Sequence, residues 1–152
     1  MKKIILLLIS FIIISCGVKQ TQSMISDGNY DNAISYALET LRTNKNAKSK
    51  QDYVYLLEEA YSKAKQRDLE TLNLLIKENN PSNFERIYNL YTQLNNRQER
   101  IKPILPLKLL KEGRNAIFPM DDYSNELISS KTALSGFLYA NAIKFLSSKN
   151  KM

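Results

Sequence analysis

Apolar residues recur along most of the chain at the spacing of an α-helix. From residue 30 to residue 41 they fall at i, i+3, i+4, i+7, i+8 and i+11, which places them on one side of a helix. This stripe comprises Tyr30, Ala33, Ile34, Ala37, Leu38 and Leu41. The same spacing returns over residues 53–64, 69–76 and 84–94. We therefore predict an all-α fold of stacked antiparallel helical hairpins, because no single pair of such helices can bury its stripe alone.

Polar runs and helix-ending residues divide these predicted helices. The polar run from Thr43 to Lys50 predicts a loop. Asn79-Asn80-Pro81 predicts the end of the third helix, because the residue before a proline avoids the α region. Ser82 followed by Glu85 is typical of a capping box that opens a fourth helix, which Asn95-Asn96 is expected to close. A short fifth helix is then expected near Gln98.

The region from residue 102 to residue 121 is less regular. Pro103 and Pro106 prevent a long helix there. Leu107–Leu110 and Asn115–Phe118, on either side of Glu112-Gly113, predict a small β-hairpin.

A final helix is predicted for about residues 122–148, with N-capping residues among Asp121 to Ser124. Two arrangements of this helix stay open: it folds back to cap the earlier hairpins, or it serves as an interface. Its apolar side comprises Leu127, Leu134, Phe137, Leu138, Phe145 and Leu146.

The first sixteen residues have the organisation of a secretory signal. Met1-Lys2-Lys3 is basic, Ile4–Ile14 is apolar apart from Ser10, and a small residue precedes Cys16. The apolar run is too short to span a bilayer, which needs about 20 apolar residues. We therefore predict a signal peptide over residues 1–15, followed by a tether over residues 16–25. The alternative is an ordinary cleaved signal, or an uncleaved anchor, with an incidental thiol.

The order Ile13-Ile14-Ser15-Cys16 resembles the lipobox of bacterial lipoproteins. The resemblance implies cleavage before Cys16, acylation of its thiol and usually of the new amino terminus, and attachment to the membrane through palmitate-like chains. In such lipoproteins Asp at the next position retains the protein in the inner membrane, so Gly17 favours the outer membrane. The acidic and lysine cluster that resembles a surface-export signal of Bacteroidota lipoproteins is missing, which favours the periplasmic side.

Two segments resemble the tetratricopeptide repeat. Gly28 to Ile34 is similar to its turn and second-helix start, and Pro81 to Tyr91 is similar to a first helix. The resemblance implies tetratricopeptide-like helical repeats over residues 26–101 that bind a protein or peptide. The tetratricopeptide repeat has a period of 34 residues, and the residue 34 positions after Ala33 is Arg67, which does not match. The repeat is therefore imperfect, and an irregular helical bundle is the alternative.

Composition narrows the chemistry. The chain has 152 residues, a net charge of +7, one cysteine and no histidine. The basic residues are mostly single lysines, and a periplasmic location disfavours contact with nucleic acid. Without histidine the commonest general base and transition-metal ligand are missing, and the only cysteine is assigned to lipid. We therefore predict no enzymatic activity, no cofactor, no metal site and no small-molecule substrate.

Tyrosines suggest where a partner binds. There are nine, and no tryptophan. Tyr55 lies off the stripe of its own helix, as Arg86 and Asn89 do on theirs, which makes these three residues candidates for a partner-binding surface. The alternative is that the tyrosines pack in the core. We expect an envelope lipoprotein that binds a protein or peptide; the alternative function is a structural or assembly component of an outer-membrane complex or of the cell wall.

Overall fold

The computed structural model describes residues 17–149, and this part of the chain is mostly helical. The predicted signal peptide and Cys16 lie outside the described residues. The all-α class is confirmed. The elements are α1 (residues 17–26), α2 (Tyr30–Thr43), α3 (Gln51–Glu78), α4 (Phe84–Ile101), β1 (Lys108–Leu109), β2 (Arg114–Asn115) and α5 (Ser124–Lys149).

The segment predicted as a tether is helical from residue 17 to residue 26. Thr21 and Ile25 are buried, and the Thr21 hydroxyl donates to the Gly17 carbonyl at 2.9 Å. The helix ends at Gly28, whose φ of +74° suits a residue without a Cβ. There the N–H of Gly28 donates to Ile25 and that of Asn29 to Met24, a Schellman motif that satisfies the last carbonyls.

The chain divides into two compact units. The first contains the residues up to Lys65 together with Arg100–Pro119, and the second contains Gln66–Glu99 together with the residues from Met120 onward. In the first unit the predicted stripe of α2 is buried apart from Tyr30, which is half-buried. Further buried apolar residues of this unit are Val54, Leu57, Ala60, Tyr61, Ala64, Ile101, Leu107 and Leu109.

The prediction of two separate helices over residues 53–64 and 69–76 is wrong. They form one helix of 28 residues, α3. No glycine or proline interrupts α3. Asp68, which lies between the two predicted helices, is buried and forms an ion pair with Arg97 of α4. The predicted tetratricopeptide-like repeat stays a prediction, and α3 is longer than the helices expected for its hairpins.

α4 begins and ends differently from expectation. Asn80, not Ser82, supplies the cap: its side chain accepts the Ser82 N–H at 3.0 Å and opens a 3₁₀ turn before the helix. Asn95-Asn96 does not close the helix, which continues to Ile101 and includes the residues predicted as a fifth helix. A tertiary contact explains this continuation of the helix. The side chain of the buried Gln98 donates a hydrogen bond to the Asp121 carbonyl and accepts one from the Asp121 N–H.

The predicted small hairpin is present, with strands of two residues each. β1 and β2 are antiparallel, with Lys108 opposite Asn115 and Leu109 opposite Arg114. Gly113 takes a φ of +65°, and its N–H donates to the Leu109 carbonyl at 2.9 Å. This closes the turn within the Glu112-Gly113 region, as predicted.

α5 begins where the sequence indicates, since the Asp122 carboxylate accepts the Ser124 N–H at 2.9 Å. Its first half packs within the second unit, whereas every residue from Leu138 to Lys149 is exposed. Among residues 17–149, no helix combines the length and the apolar content that crossing a membrane requires.

The second unit's apolar cluster comprises Leu72, Leu75, Leu90, Leu94 and Tyr123, with Leu69, Ile87, Tyr91 and Leu127 packed against it.

Candidate functional site

A depression of about 280 Å³ opens on the second unit, where the end of α3, the start of α4 and the first half of α5 meet. Five apolar side chains contribute most of its surface, and two asparagines and two serines complete it. Because apolar residues with a few polar groups are typical of a binding depression, it is a candidate site. The lining residues are Leu75, Ile76, Asn79, Asn80, Phe84, Ile87, Ser129, Ser130 and Ala133.

The short link between α3 and α4 builds this depression. Asn79 takes a φ of +47°, and its N–H donates to the Ile76 carbonyl at 3.1 Å, which ends α3. Asparagine tolerates this left-handed conformation better than most residues. Because the chain reverses over so few residues, Ile76 and Phe84 line the same depression.

Its polar and aromatic parts have defined positions. The Phe84 ring packs edge-to-face on Phe137 of α5, with centroids 5.9 Å apart. The Ser130 hydroxyl donates within its own helix to the Glu126 carbonyl. Ile76 is 49% exposed, so part of the apolar wall faces solvent. The depression can therefore accept an apolar side chain, with asparagine amides beside it to hydrogen-bond a polar backbone.

The three residues proposed from sequence fall in two places. Arg86 and Asn89 are exposed on α4 and line one open depression of about 370 Å³ in the second unit. Tyr55 is half-buried in the first unit and is not among the residues that line that depression. Desolvation, together with the nearby carboxylate of Glu112, raises the pKa of Tyr55. The phenol therefore stays protonated at neutral pH.

Tyr55 stands beside a charged network that fixes the hairpin to α3. Glu58 accepts two hydrogen bonds from the Arg114 guanidinium, at 2.7 and 3.0 Å, and one from the Ile117 N–H. The hydrogen bond from Arg114 lowers the pKa of Glu58. The neighbouring Glu59 instead forms an exposed i,i+4 pair with Lys63.

The start of the described chain is closely packed. Gly17, which follows the predicted lipid-attachment residue, is buried against the hydroxyl groups of Tyr36 and Tyr53. A Cβ at this position would collide with the Tyr53 hydroxyl and come within 2.9 Å of that of Tyr36. The two rings pack with centroids 6.2 Å apart. Packing therefore favours glycine at this position, a reason independent of lipoprotein sorting.

Comparison with protein-family models, with curated proteins and with solved structures finds no match for this chain. Over residues 17–149, no group of three or more cysteine, aspartate or glutamate side chains is arranged to hold a metal ion. The function is therefore inferred from the chain's own residues.

Proposed function

We propose that this chain is a bacterial cell-envelope lipoprotein, held to the membrane by lipid on Cys16, whose helical domain binds a protein or peptide partner. The apolar depression of the second unit carries the proposal for binding. The lipobox-like order before Cys16 supports the anchor. The proposed location is the periplasmic side of the outer membrane, and the proposed activity is binding without catalysis.

The partner would insert one apolar side chain into the depression. Burying such a side chain among Leu75, Phe84 and Ile87 contributes roughly 1.5–3 kcal/mol. The adjacent Asn79 and Asn80 amides would orient the partner's backbone. One side chain gives modest affinity, and the lipid anchor offsets this by raising the effective concentration near membrane-bound partners.

The packing of Gly17 supports a domain held close to its anchor. Gly17, the residue next to Cys16 in sequence, is buried against Tyr36 and Tyr53. A flexible tether would let the domain search a large volume, whereas a short connection restricts it to partners near the membrane surface. We therefore expect the partner to be a membrane protein or a protein bound at the membrane.

Site-specific photo-crosslinking in cells tests the binding site. A photoreactive residue replaces Ile76, which lines the depression, or Leu74, which is exposed on the same helix but does not line it. We expect a discrete adduct from position 76 and little from position 74. Ala133→Trp fills the depression and should abolish the adduct from position 76.

Equal crosslinking from both positions, or an adduct unaffected by Ala133→Trp, would contradict the proposed site. The adduct from position 76 could instead contain one abundant outer-membrane or cell-wall component and form equally well when Ala133→Trp fills the depression. In that case the chain is a structural component. Circular dichroism of the Ala133→Trp variant serves as the control for folding.

A further inference from the structure

α5 has apolar residues on two sides, and only one side is used by the fold. In its first half, Leu127 packs against the second unit's core, Ser130 is buried, and Phe137 packs on Phe84. Beyond Phe137 the apolar side chains face solvent. An apolar helix surface that the fold leaves uncovered marks an interaction surface when it is large and continuous.

The uncovered surface, which we call the C-terminal face, is continuous. Its five large side chains are between 49% and 71% exposed. At about 100° per residue they fall within an arc of roughly 160°, with Ala142 in the same arc. Ala140, Lys144 and Ser148 lie on the opposite side. The large residues of the C-terminal face are Leu138, Tyr139, Ile143, Phe145 and Leu146.

The charge around this face has a single sign. After Glu126 the sequence contains no aspartate or glutamate, whereas it contains Lys131, Lys144, Lys149 and Lys151. Lys144 lies on the side opposite the C-terminal face, whereas Lys149, in the last turn, lies within the arc of that face. Lysines on the polar side of an amphipathic helix with leucine and phenylalanine on the other are typical of segments that lie on anionic membranes.

A second copy of the chain fits this face poorly. Five side chains of about 150–250 Å² each, exposed by roughly half to two thirds, present on the order of 600 Å². Stable interfaces bury roughly 1,200–2,000 Å² in total, so two such faces would lie at the lower limit. Pairing two copies would also bring two sets of lysines together without any acidic residue on this segment to compensate them.

We infer that the second half of α5 binds an anionic phospholipid bilayer, with the C-terminal face among the upper acyl chains and the lysines at the phosphate groups. This contact is distinct from the proposed lipid on Cys16 and from the proposed partner depression. It provides a second membrane contact, and a second signal turns weak, reversible anchoring into stable anchoring. It also restricts how the second unit can turn above the membrane.

Two alanines on opposite sides of the helix allow a matched test. Ala142 lies on the C-terminal face and Ala140 opposite it, and both are exposed. The full chain, purified as the lipoprotein, carries Ala142→Cys or Ala140→Cys labelled with an environment-sensitive fluorophore. It is reconstituted into vesicles of phosphatidylglycerol and phosphatidylethanolamine that contain a lipid-borne quencher. Vesicles of phosphatidylcholine alone provide the uncharged comparison.

We expect at least threefold more quenching and a blue shift at position 142 than at position 140, only in the anionic vesicles. Phe145→Ser with Leu146→Ser should remove the difference, and Lys144→Gln with Lys149→Gln should reduce it severalfold.

Equal quenching at the two positions, or no quenching at either, would overturn the inference. Protection at position 142 without lipid quenching, accompanied by a disulfide between two Ala142→Cys chains, would overturn it in favour of a second copy. A second label on each chain would mean that Cys16 is free, so that the proposed lipid attachment fails. The comparison of 142 with 140 stays valid in that case, because both variants share the same Cys16.

Discussion

Replacing Arg97 with methionine is expected to destabilise the second unit strongly. The Arg97 Nη2 atom lies 2.8 Å from the Asp68 Oδ2 atom, and both side chains are only 2% exposed. Breaking a buried ion pair by removing one partner costs about 3–5 kcal/mol, because an uncompensated charge stays buried. Asp68 would keep Arg67, whose Nη2 atom lies 2.8 Å from Oδ1. We therefore expect the lower end of that range, about 3 kcal/mol.

Removing both charges should cost less than removing one. Asp68→Leu combined with Arg97→Met replaces the pair with apolar side chains of similar size, which is often neutral for buried pairs. The double variant should therefore be more stable than Arg97→Met alone. In a double-mutant cycle we expect the two changes to be coupled by at least about 2 kcal/mol.

Urea unfolding followed by circular dichroism at 222 nm measures these differences. The control is Lys63→Met, which breaks an exposed pair with Glu59 at a similar separation of 2.7 Å. That exposed pair should contribute little to the free energy of unfolding. If Arg97→Met costs no more than Lys63→Met, or if the double variant shows the sum of the single effects, burial of the Asp68–Arg97 pair is not what fixes this part of the fold.

Three further changes test the anchor and the first unit. Gly17→Ala should cost about 1–3 kcal/mol in urea unfolding because its Cβ collides with Tyr53; unchanged stability would refute the close packing. Glu58→Gln should cost at most about 1 kcal/mol by removing the charged hydrogen bonds from the exposed Arg114. Since Arg114 lowers the pKa of Glu58, this stabilisation is present above the carboxyl's ordinary pKa and is lost as the pH falls through the lowered one. An equal pH dependence in wild type and variant between pH 5 and about 3 would contradict this. Cys16→Ala should accumulate as uncut precursor; an Ala variant of mature size in the detergent phase would rule out lipid attachment.

Local patterns in the sequence predicted those parts of the fold that depend on neighbouring residues. The stripe of α2 follows from helical spacing alone, because side chains three and four positions apart share one side. The turn at Gly113 and the start of α5 near Asp122 follow from residues that favour a particular backbone conformation or cap. In each case the determining residues lie within a few positions of the element they form.

The sequence predicted the candidate site less well. It selected Tyr55, Arg86 and Asn89 because they lie off their apolar stripes, and two of these line one depression of the second unit. The sequence did not indicate the apolar depression because two of its lining residues, Ile76 and Ala133, are separated by more than fifty positions. A helical stripe shows that a residue is apolar, but it does not show whether the facing side chain fills the space in front of it.

Only the tertiary structure decided where several helices begin and end. α3 continues through Asp68 because Arg97, 29 positions away, compensates the buried carboxylate. α4 continues past Asn95-Asn96 to Gln98, whose amide is satisfied by the Asp121 backbone 23 positions away. Burying a polar group costs free energy unless it finds a partner. In these two helices the hydrogen-bond and ion-pair partners lie far along the chain. The local sequence therefore predicted helix ends at positions where, in the structure, long-range contacts allow the helix to continue.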